Sequence, residues 1–115
     1  MFVAAAIVSG LLAVTLVNSA RMKLTRDQPV VDVMTRVKFP LDKLWLLAVA
    51  ELAGAVGLVV GLFWWPIGVA AAAGVVLYFV GAVIYHLRAH DMTLAPAAVL
   101  VLVSIAALVL RAASV

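Results

Sequence analysis

Four long runs of apolar residues divide the chain, and charged residues, prolines or paired aromatics separate them. They lie at about 1–20, 44–62, 67–87 and 94–110. A bilayer core about 30 Å thick is crossed by roughly 20 apolar residues in an α-helix, so each run is about long enough to span a membrane. The pattern predicts an all-α membrane protein whose residues 1–115 form one domain, an antiparallel bundle of four transmembrane helices.

The segment between the first and second runs follows a different pattern. Its apolar residues recur at helical spacing, at Val30, Met34, Val37 and Leu41. Asp27 can cap the start of a helix, Pro29 suits its first turn, and Pro40 would end it. We therefore predict a short interfacial helix at about 27–39, with its basic residues turned toward lipid phosphates. An ordinary solvated basic linker is the alternative interpretation.

Composition narrows the class of protein further. Hydrophobic residues make up 69% of the chain and charged residues only 11%, which excludes a water-soluble globule. The absence of cysteine excludes disulfide scaffolds, thiolate metal sites and cysteine redox relays. The net charge of +3 suits anionic lipid headgroups, and we expect membrane lipids as partners and no nucleic acid.

The basic residues are distributed unequally between the two ends of the predicted bundle. Arg111 alone lies at one end, and the other end holds Arg21, Lys23, Arg26, Arg36, Lys38, Lys43 and Arg88. Basic loops of membrane proteins stay in the cytoplasm. We therefore expect the basic loops in the cytoplasm and both termini outside. The first span has no basic leader, so we expect it to be retained rather than cleaved as a signal peptide.

Small residues recur along the second and third spans and predict where these helices pack. The second span carries Ala50, Gly54, Gly57 and Gly61 at helical spacing, and Gly74 begins a matching stripe on the third. Helices in lipid associate through close backbone contact, which small residues permit. We predict that the second and third spans pack through these positions.

Glu51 is the one acidic residue well inside a span, at a depth of roughly 10 Å from the basic end. A residue at the same depth on the third span is Gly81, which would leave space for a carboxyl group, a water or a ligand. The predicted polar core consists of Glu51, Tyr78, Tyr85, Gly81, Asn18 and Thr15. The residues predicted at its cytoplasmic interface are Arg21, Lys23, His86 and Arg88. Such an acid either serves function or is a hydrogen-bonded strut that fixes helix register.

Reactive side chains are few. His86 and His90 have the spacing of a two-histidine metal face and Asp91 follows them, but imidazoles at a helix C-terminus also suit lipid headgroups. We favour the second interpretation and expect no metal site. No serine has a histidine deep enough to act as its base, so we assign no catalytic residue. We expect no catalysis by this chain alone.

The chain resembles the DoxX-like family of small four-helix bacterial membrane proteins along nearly its whole length. The resemblance rests on 21–24 after the first span, on Glu51 followed by the glycine ladder to Gly61, and on the run from Gly74 through His86, Arg88 and Asp91. It implies a four-helix inner-membrane protein associated with a membrane oxidoreductase. The recurrent family positions would be Lys23, Glu51, Gly54, Gly57, Gly61 and His86. The richness in alanine, valine and leucine suggests an actinobacterial host.

Three functional hypotheses follow. The first is a non-catalytic subunit or scaffold that docks other membrane subunits, or a second copy of itself, through glycine-rich helix faces. The second is a redox-associated protein that binds a quinone or a lipid as its only cofactor, with Glu51 and a tyrosine in the site. The third is a small transporter or channel, which would need an oligomer because four short helices around one acid leave little lumen.

Overall fold

A computed structural model of the chain describes residues 2–89 and 95–114. Within these ranges the structure has no strand and contains five α-helices: α1 (Phe2–Leu24), α2 (Gln28–Arg36), α3 (Leu44–Val60), α4 (Trp65–Arg88) and α5 (Ala95–Ala113). A single 3-10 turn, Leu41–Lys43, leads directly into α3. Three of the helices, α1, α4 and α5, are long and apolar enough to cross a membrane, and so is α3 together with the 3-10 turn before it. The all-α fold and the four spans are therefore confirmed, and the antiparallel arrangement stays a prediction.

The first helix is longer than the apolar run that predicted it. It continues to Leu24 because polar side chains of its last turns bond one another, as Lys23 Nζ does to Ser19 Oγ at 2.8 Å. It ends where Arg26 adopts a positive φ of 52° and the amide of Asp27 donates to the carbonyl of Met22 at 3.0 Å. This is a left-handed helix cap that satisfies a carbonyl of the last turn.

The short helix α2 lies where the sequence predicts it, with Pro29 in its first turn. Asp27 occupies the N-cap position, but its side chain makes no capping hydrogen bond and instead accepts one from Thr25 Oγ1 at 2.8 Å. The helix ends at Arg36 rather than at Pro40. The reason is the left-handed conformation of Lys38, whose φ is 62° and which turns the chain back before the proline.

The four long helices form a closed ring of neighbours, because α1 and α4 each contact both α3 and α5. Their shared core is apolar and includes Leu12, Leu16, Leu58, Val75, Phe79 and Ala107. Many large apolar side chains point outward instead, and Leu11, Val14 and Leu102 are each about two-thirds exposed. Outward apolar faces of this extent suit contact with lipid.

Gly54 and Gly57 of α3, and Gly61 directly after its last residue, face α4. An added Cβ would lie 2.9 Å from Val75 at Gly54 and 2.8 Å from Ala71 at Gly57, and at Gly61 it would overlap the backbone of Gly68. The contact is therefore closest at the turn that joins the two helices. Substitution of Gly61 by any larger residue forces the two backbones apart.

Two other residues of the predicted packing stripe lie elsewhere. Ala50 and Gly74 are exposed, and an added Cβ at Gly74 would meet nothing within 4 Å. Gly74 is thus not in close helix contact within the described chain. The residues of α4 that contact the glycines near the end of α3 are Ala71 and Gly68, not Gly74 as the sequence predicted. The reason is the rotation of α4, which buries Gly68, Ala72 and Val75.

Candidate functional site

The center of the candidate site is an ion pair between α1 and α3. Glu51 is only 2% exposed, and its Oε1 lies 2.7 Å from Nζ of Lys23. Lys23 stands in the last turn of α1, and its long apolar stem carries the ammonium group inward to the depth of Glu51. The same ammonium group donates to Ser19 Oγ at 2.8 Å.

The pairing accounts for an ionisable group inside an apolar bundle. An isolated buried charge is costly, whereas a paired carboxylate and ammonium carry no net charge into the low-dielectric interior. Lys23 was assigned to the cytoplasmic interface, from which its side chain could extend toward the cluster, and it is the direct partner of Glu51. The sequence offered one signal for it, a lysine within one side-chain length of the membrane boundary.

Tyr78 of α4 is the third member of the cluster, because it lines the same cavity between α3 and α4 as Glu51. Apart from the ion pair with Lys23, neither carboxylate oxygen accepts a hydrogen bond from the described residues. Oε1 is compensated by the ion pair, but Oε2 is buried without an equivalent partner there. A buried acceptor in this state costs free energy unless a further donor reaches it.

Two cavities border the cluster. The first, the α2 cavity, has a volume of about 550 Å³ and lies between α2, α4 and α5, with Lys23, Tyr78, Gly81 and His86 among its lining residues. The second, the α3–α4 cavity, has a similar volume of about 550 Å³ and is lined by Glu51, Gly54, Gly74 and Tyr78. Tyr78 belongs to both linings. The sequence predicted one space between Glu51 and Gly81. The structure has two cavities instead, and Tyr78 lines both.

The segment that includes α2 covers the first cavity. Val37 is 6% exposed, and the ring of Phe39 packs edge-on against Tyr85 of α4 with 5.5 Å between the ring centroids. Val33 and Met34 of α2 also line this cavity. The amphipathic helix predicted from sequence therefore presents its apolar side to a cavity of the bundle.

Two predicted members of the polar core lie outside it. Thr15 is exposed, and its hydroxyl group donates to the carbonyl of Leu11 in its own helix at 2.9 Å. Asn18 is also exposed and accepts a hydrogen bond from Arg21 at 3.2 Å. The inward face of α1 is instead formed by Leu16, Ala20 and Lys23.

The remaining predicted residues lie near the basic end of the bundle. Gly81 lines the α2 cavity, and an added Cβ there would meet nothing within 4 Å. His86 is buried and lines the same cavity, whereas Tyr85 is 41% exposed and Arg88 is exposed. His90, Asp91 and Thr93 lie outside the described residues. Among the described residues, no group of three metal-binding side chains occurs.

Sequence reasoning missed a second buried charge at the opposite end. Arg111 of α5 is 6% exposed, and its Nε donates to the carbonyl of Gly61 at 2.9 Å. Its guanidinium group also lies 5.5 Å from the ring centroid of Phe2, and its own carbonyl accepts from Trp65 Nε1 at 2.8 Å. One residue thus connects the ends of α1, α3, α4 and α5. The only sequence signal was a lone arginine at the end of an apolar helix.

These features define a small multi-pass membrane protein in which a buried ion pair borders apolar cavities. The chain matches the DoxX-like family over residues 7–109, and it belongs to that family. No curated protein and no solved structure matches the chain.

Proposed function

We propose that the protein binds a quinone-type amphiphile in the α2 cavity, with the head of the ligand at Lys23 and Tyr78 and its apolar body along α4 and α5. The observation that carries this proposal is a buried ammonium group at the wall of an apolar cavity of about 550 Å³. Ligand pockets in general are apolar cavities of this size class with a few fixed polar groups.

The donor groups of the cluster favour a ligand whose head accepts hydrogen bonds. An ammonium group has three donors, and among the described residues Ser19 and Glu51 take two of those on Lys23. The third donor and the Tyr78 hydroxyl group suit a carbonyl oxygen. Quinones carry such oxygens and no charge.

The charge balance of the cluster favours a neutral head over an anionic one. Glu51 already neutralises Lys23, so a carboxylate or phosphate at this depth would introduce a further buried charge. In this proposal Glu51 is a positioning residue that holds the ammonium group in place. The proposal assigns the chain binding alone, and any electron transfer would belong to an associated oxidoreductase.

The proposal is tested by equilibrium dialysis of a radiolabelled short-chain naphthoquinone against the protein in mild detergent. Tyr78→Phe should weaken binding roughly fivefold to tenfold, as loss of one neutral hydrogen bond does. Gly81→Leu should abolish binding because the new side chain fills the α2 cavity. Ser104→Ala and Gly74→Leu are controls that leave this cavity unchanged, because neither residue lines it.

The expected result requires saturable binding to the wild-type protein. Absence of saturable binding, or equal affinity in wild type and Gly81→Leu, would remove the proposal. Loss of binding in Gly74→Leu alone would assign the ligand to the α3–α4 cavity instead.

We propose, as a second role, that the chain is a non-catalytic subunit whose α3–α4 face receives a helix of another subunit. Ala50, Ala53 and Gly74 are exposed around this face, and nothing within 4 Å would meet a Cβ added at Gly74. Close helix approach in lipid uses such positions. Copurification from native membranes should lose a partner in Gly74→Leu and keep it in Gly10→Leu, since Gly10 is open but lies on α1. A wild-type chain that always emerges alone would contradict this role.

We further propose a plasma-membrane location, with the end that carries Lys23 and α2 in the cytoplasm. Seven of the eight basic residues lie at this end, which is what the positive-inside rule requires. The chain has no cysteine, so single cysteines at Lys43 and Ser114 can be labelled in intact cells with a membrane-impermeant maleimide. We expect labelling at position 114 alone. Labelling at position 43 alone would show that the protein has the opposite orientation.

A further inference from the structure

A groove on the outside of the bundle runs along α1 and α3, and it shares no lining residue with the α2 cavity or the α3–α4 cavity. It has a volume of about 720 Å³, and its walls include Val14 and Val17 of α1 and Val56 and Val60 of α3. Gly10 lies at one end of the groove, and Arg21 lies at the other. The lining between these two residues is apolar except for Asn18.

The length of this groove matches one leaflet of a membrane. Gly10 and Arg21 are eleven residues apart on one helix, which corresponds to about 16 Å at 1.5 Å per residue. Half of a hydrocarbon core about 30 Å thick is about 15 Å. With Arg21 at the level of the headgroups, a groove of this length would reach the middle of the bilayer.

The Arg21 end is built to receive negative charge. One donor of its guanidinium group is bonded to Asn18 Oδ1 at 3.2 Å, and both residues line the groove. In the part of the chain that the structure describes, Arg21 forms no ion pair, and the carboxylate of Glu51 is engaged by Lys23. Arginine binds phosphate through two parallel donors.

We propose that this groove is a binding site for an anionic phospholipid, with one acyl chain between α1 and α3 and the phosphate at Arg21. Charge complementarity and the one-leaflet length favour a lipid over a helix of a second copy. A helix would extend across both leaflets, and its apolar surface would offer nothing to the guanidinium group. The absence of a side chain at Gly10 leaves room for the end of the acyl chain.

The test is native mass spectrometry of the purified protein titrated with dioleoylphosphatidylglycerol or dioleoylphosphatidylcholine. The wild-type protein should bind one phosphatidylglycerol with about tenfold preference, the size expected of one charge-assisted contact. Arg21→Gln should lose this preference. Arg88→Gln removes an exposed positive charge at the same end but outside the groove, and it should keep the preference.

A second pair of variants tests the apolar part of the groove. Gly10→Leu should weaken binding of both lipids by blocking the acyl chain, and Gly74→Leu, at an equally open glycine on α4, should not. The proposal is overturned if the wild-type protein binds both lipids equally, or if the two variants of either pair behave alike. A dimer that Gly10→Leu dissociates, with no bound lipid in the wild type, would assign the groove to a second copy.

Discussion

The two ends of the bundle each bury a basic side chain, but they treat it in opposite ways. Arg111 is held by hydrogen bonds to the carbonyl of Gly61 and to Ser114, in a region where Gly61 and Gly68 bring two backbones into contact. Lys23 is held by the carboxylate of Glu51 beside apolar cavities. The end at Arg111 is closed by packing, whereas the end at Lys23 contains cavities.

The difference separates a structural role from a binding role for the same kind of residue. Bonds from Arg111 to main-chain oxygens fix the ends of helices and leave little for a ligand to use. The pair of Lys23 and Glu51 leaves one carboxylate oxygen without a hydrogen-bond partner among the described residues and adjoins open volume. A buried polar group beside a cavity is the arrangement in which function is expected.

The largest effect is expected when the ion pair is broken from one side. Lys23→Met leaves the Glu51 charge buried without its partner, and unfolding in detergent should become easier by about 3–5 kcal/mol. The double variant Lys23→Met with Glu51→Gln should recover much of this loss, because no uncompensated charge remains. Equal thermal stability of the single variant and wild type would show that the pair is not buried in solution.

The closed end should respond next most strongly, to a single added methyl group. Gly61→Ala places a Cβ against the backbone of Gly68, and we expect a loss of about 1–3 kcal/mol from overpacking. Gly74→Ala is the matched control at an open helical position, where alanine is favoured by about 1 kcal/mol. Thermal unfolding should therefore move in opposite directions for the two variants, and a shared direction would contradict the assignment of these faces.

Removal of the arginine at the closed end should cost less. Arg111→Met keeps an unbranched apolar stem but leaves the carbonyl of Gly61 without its donor, which corresponds to about 1–2 kcal/mol in chemical unfolding. Quinone affinity should be unchanged because the residue lies at the far end from the α2 cavity. If quinone affinity falls by more than the loss of stability accounts for, the two ends of the bundle are functionally coupled.

The smallest effect is expected at the cover of the α2 cavity. Phe39→Ala removes the edge-on contact with Tyr85, and its aromatic part is worth about 0.5–1.5 kcal/mol. Hydrogen exchange of the amides in α2 should become faster while the four long helices keep their protection. Phe63→Ala, at a ring that is 89% exposed, should change neither.

The sequence predicted the elements well because hydrophobic run length alone decides which segments cross a membrane. It also predicted that Glu51 would be inside the bundle, since a charge in a span must avoid lipid. The sequence did not predict which face of α1 turns toward the core. That helix is apolar on nearly all sides, so no periodicity distinguishes the face of Lys23 from the face of Asn18, and the wrong polar residues were assigned to the core.

The close contact at the turn between α3 and α4 was missed for a related reason. Gly68 falls within the third apolar run, but the stripe that was predicted to pack against the second span began at Gly74, on a different face of α4. The role of Gly68 depends on the distance to Gly61, which only the packed chain determines. Arg111 was hidden likewise, because a helix-terminal arginine is ordinarily a lipid-headgroup contact.

The most direct test of the account is photolabelling of the wild-type protein in membranes with an azido-naphthoquinone, followed by peptide mapping. The account predicts that excess unlabelled quinone removes labelling confined to the segments around Phe39 and Tyr85, and that the segment around Arg111 is not labelled. Competable labelling around Arg111, or none at the α2 cavity, would contradict the claim that the end with the ion pair is the binding end.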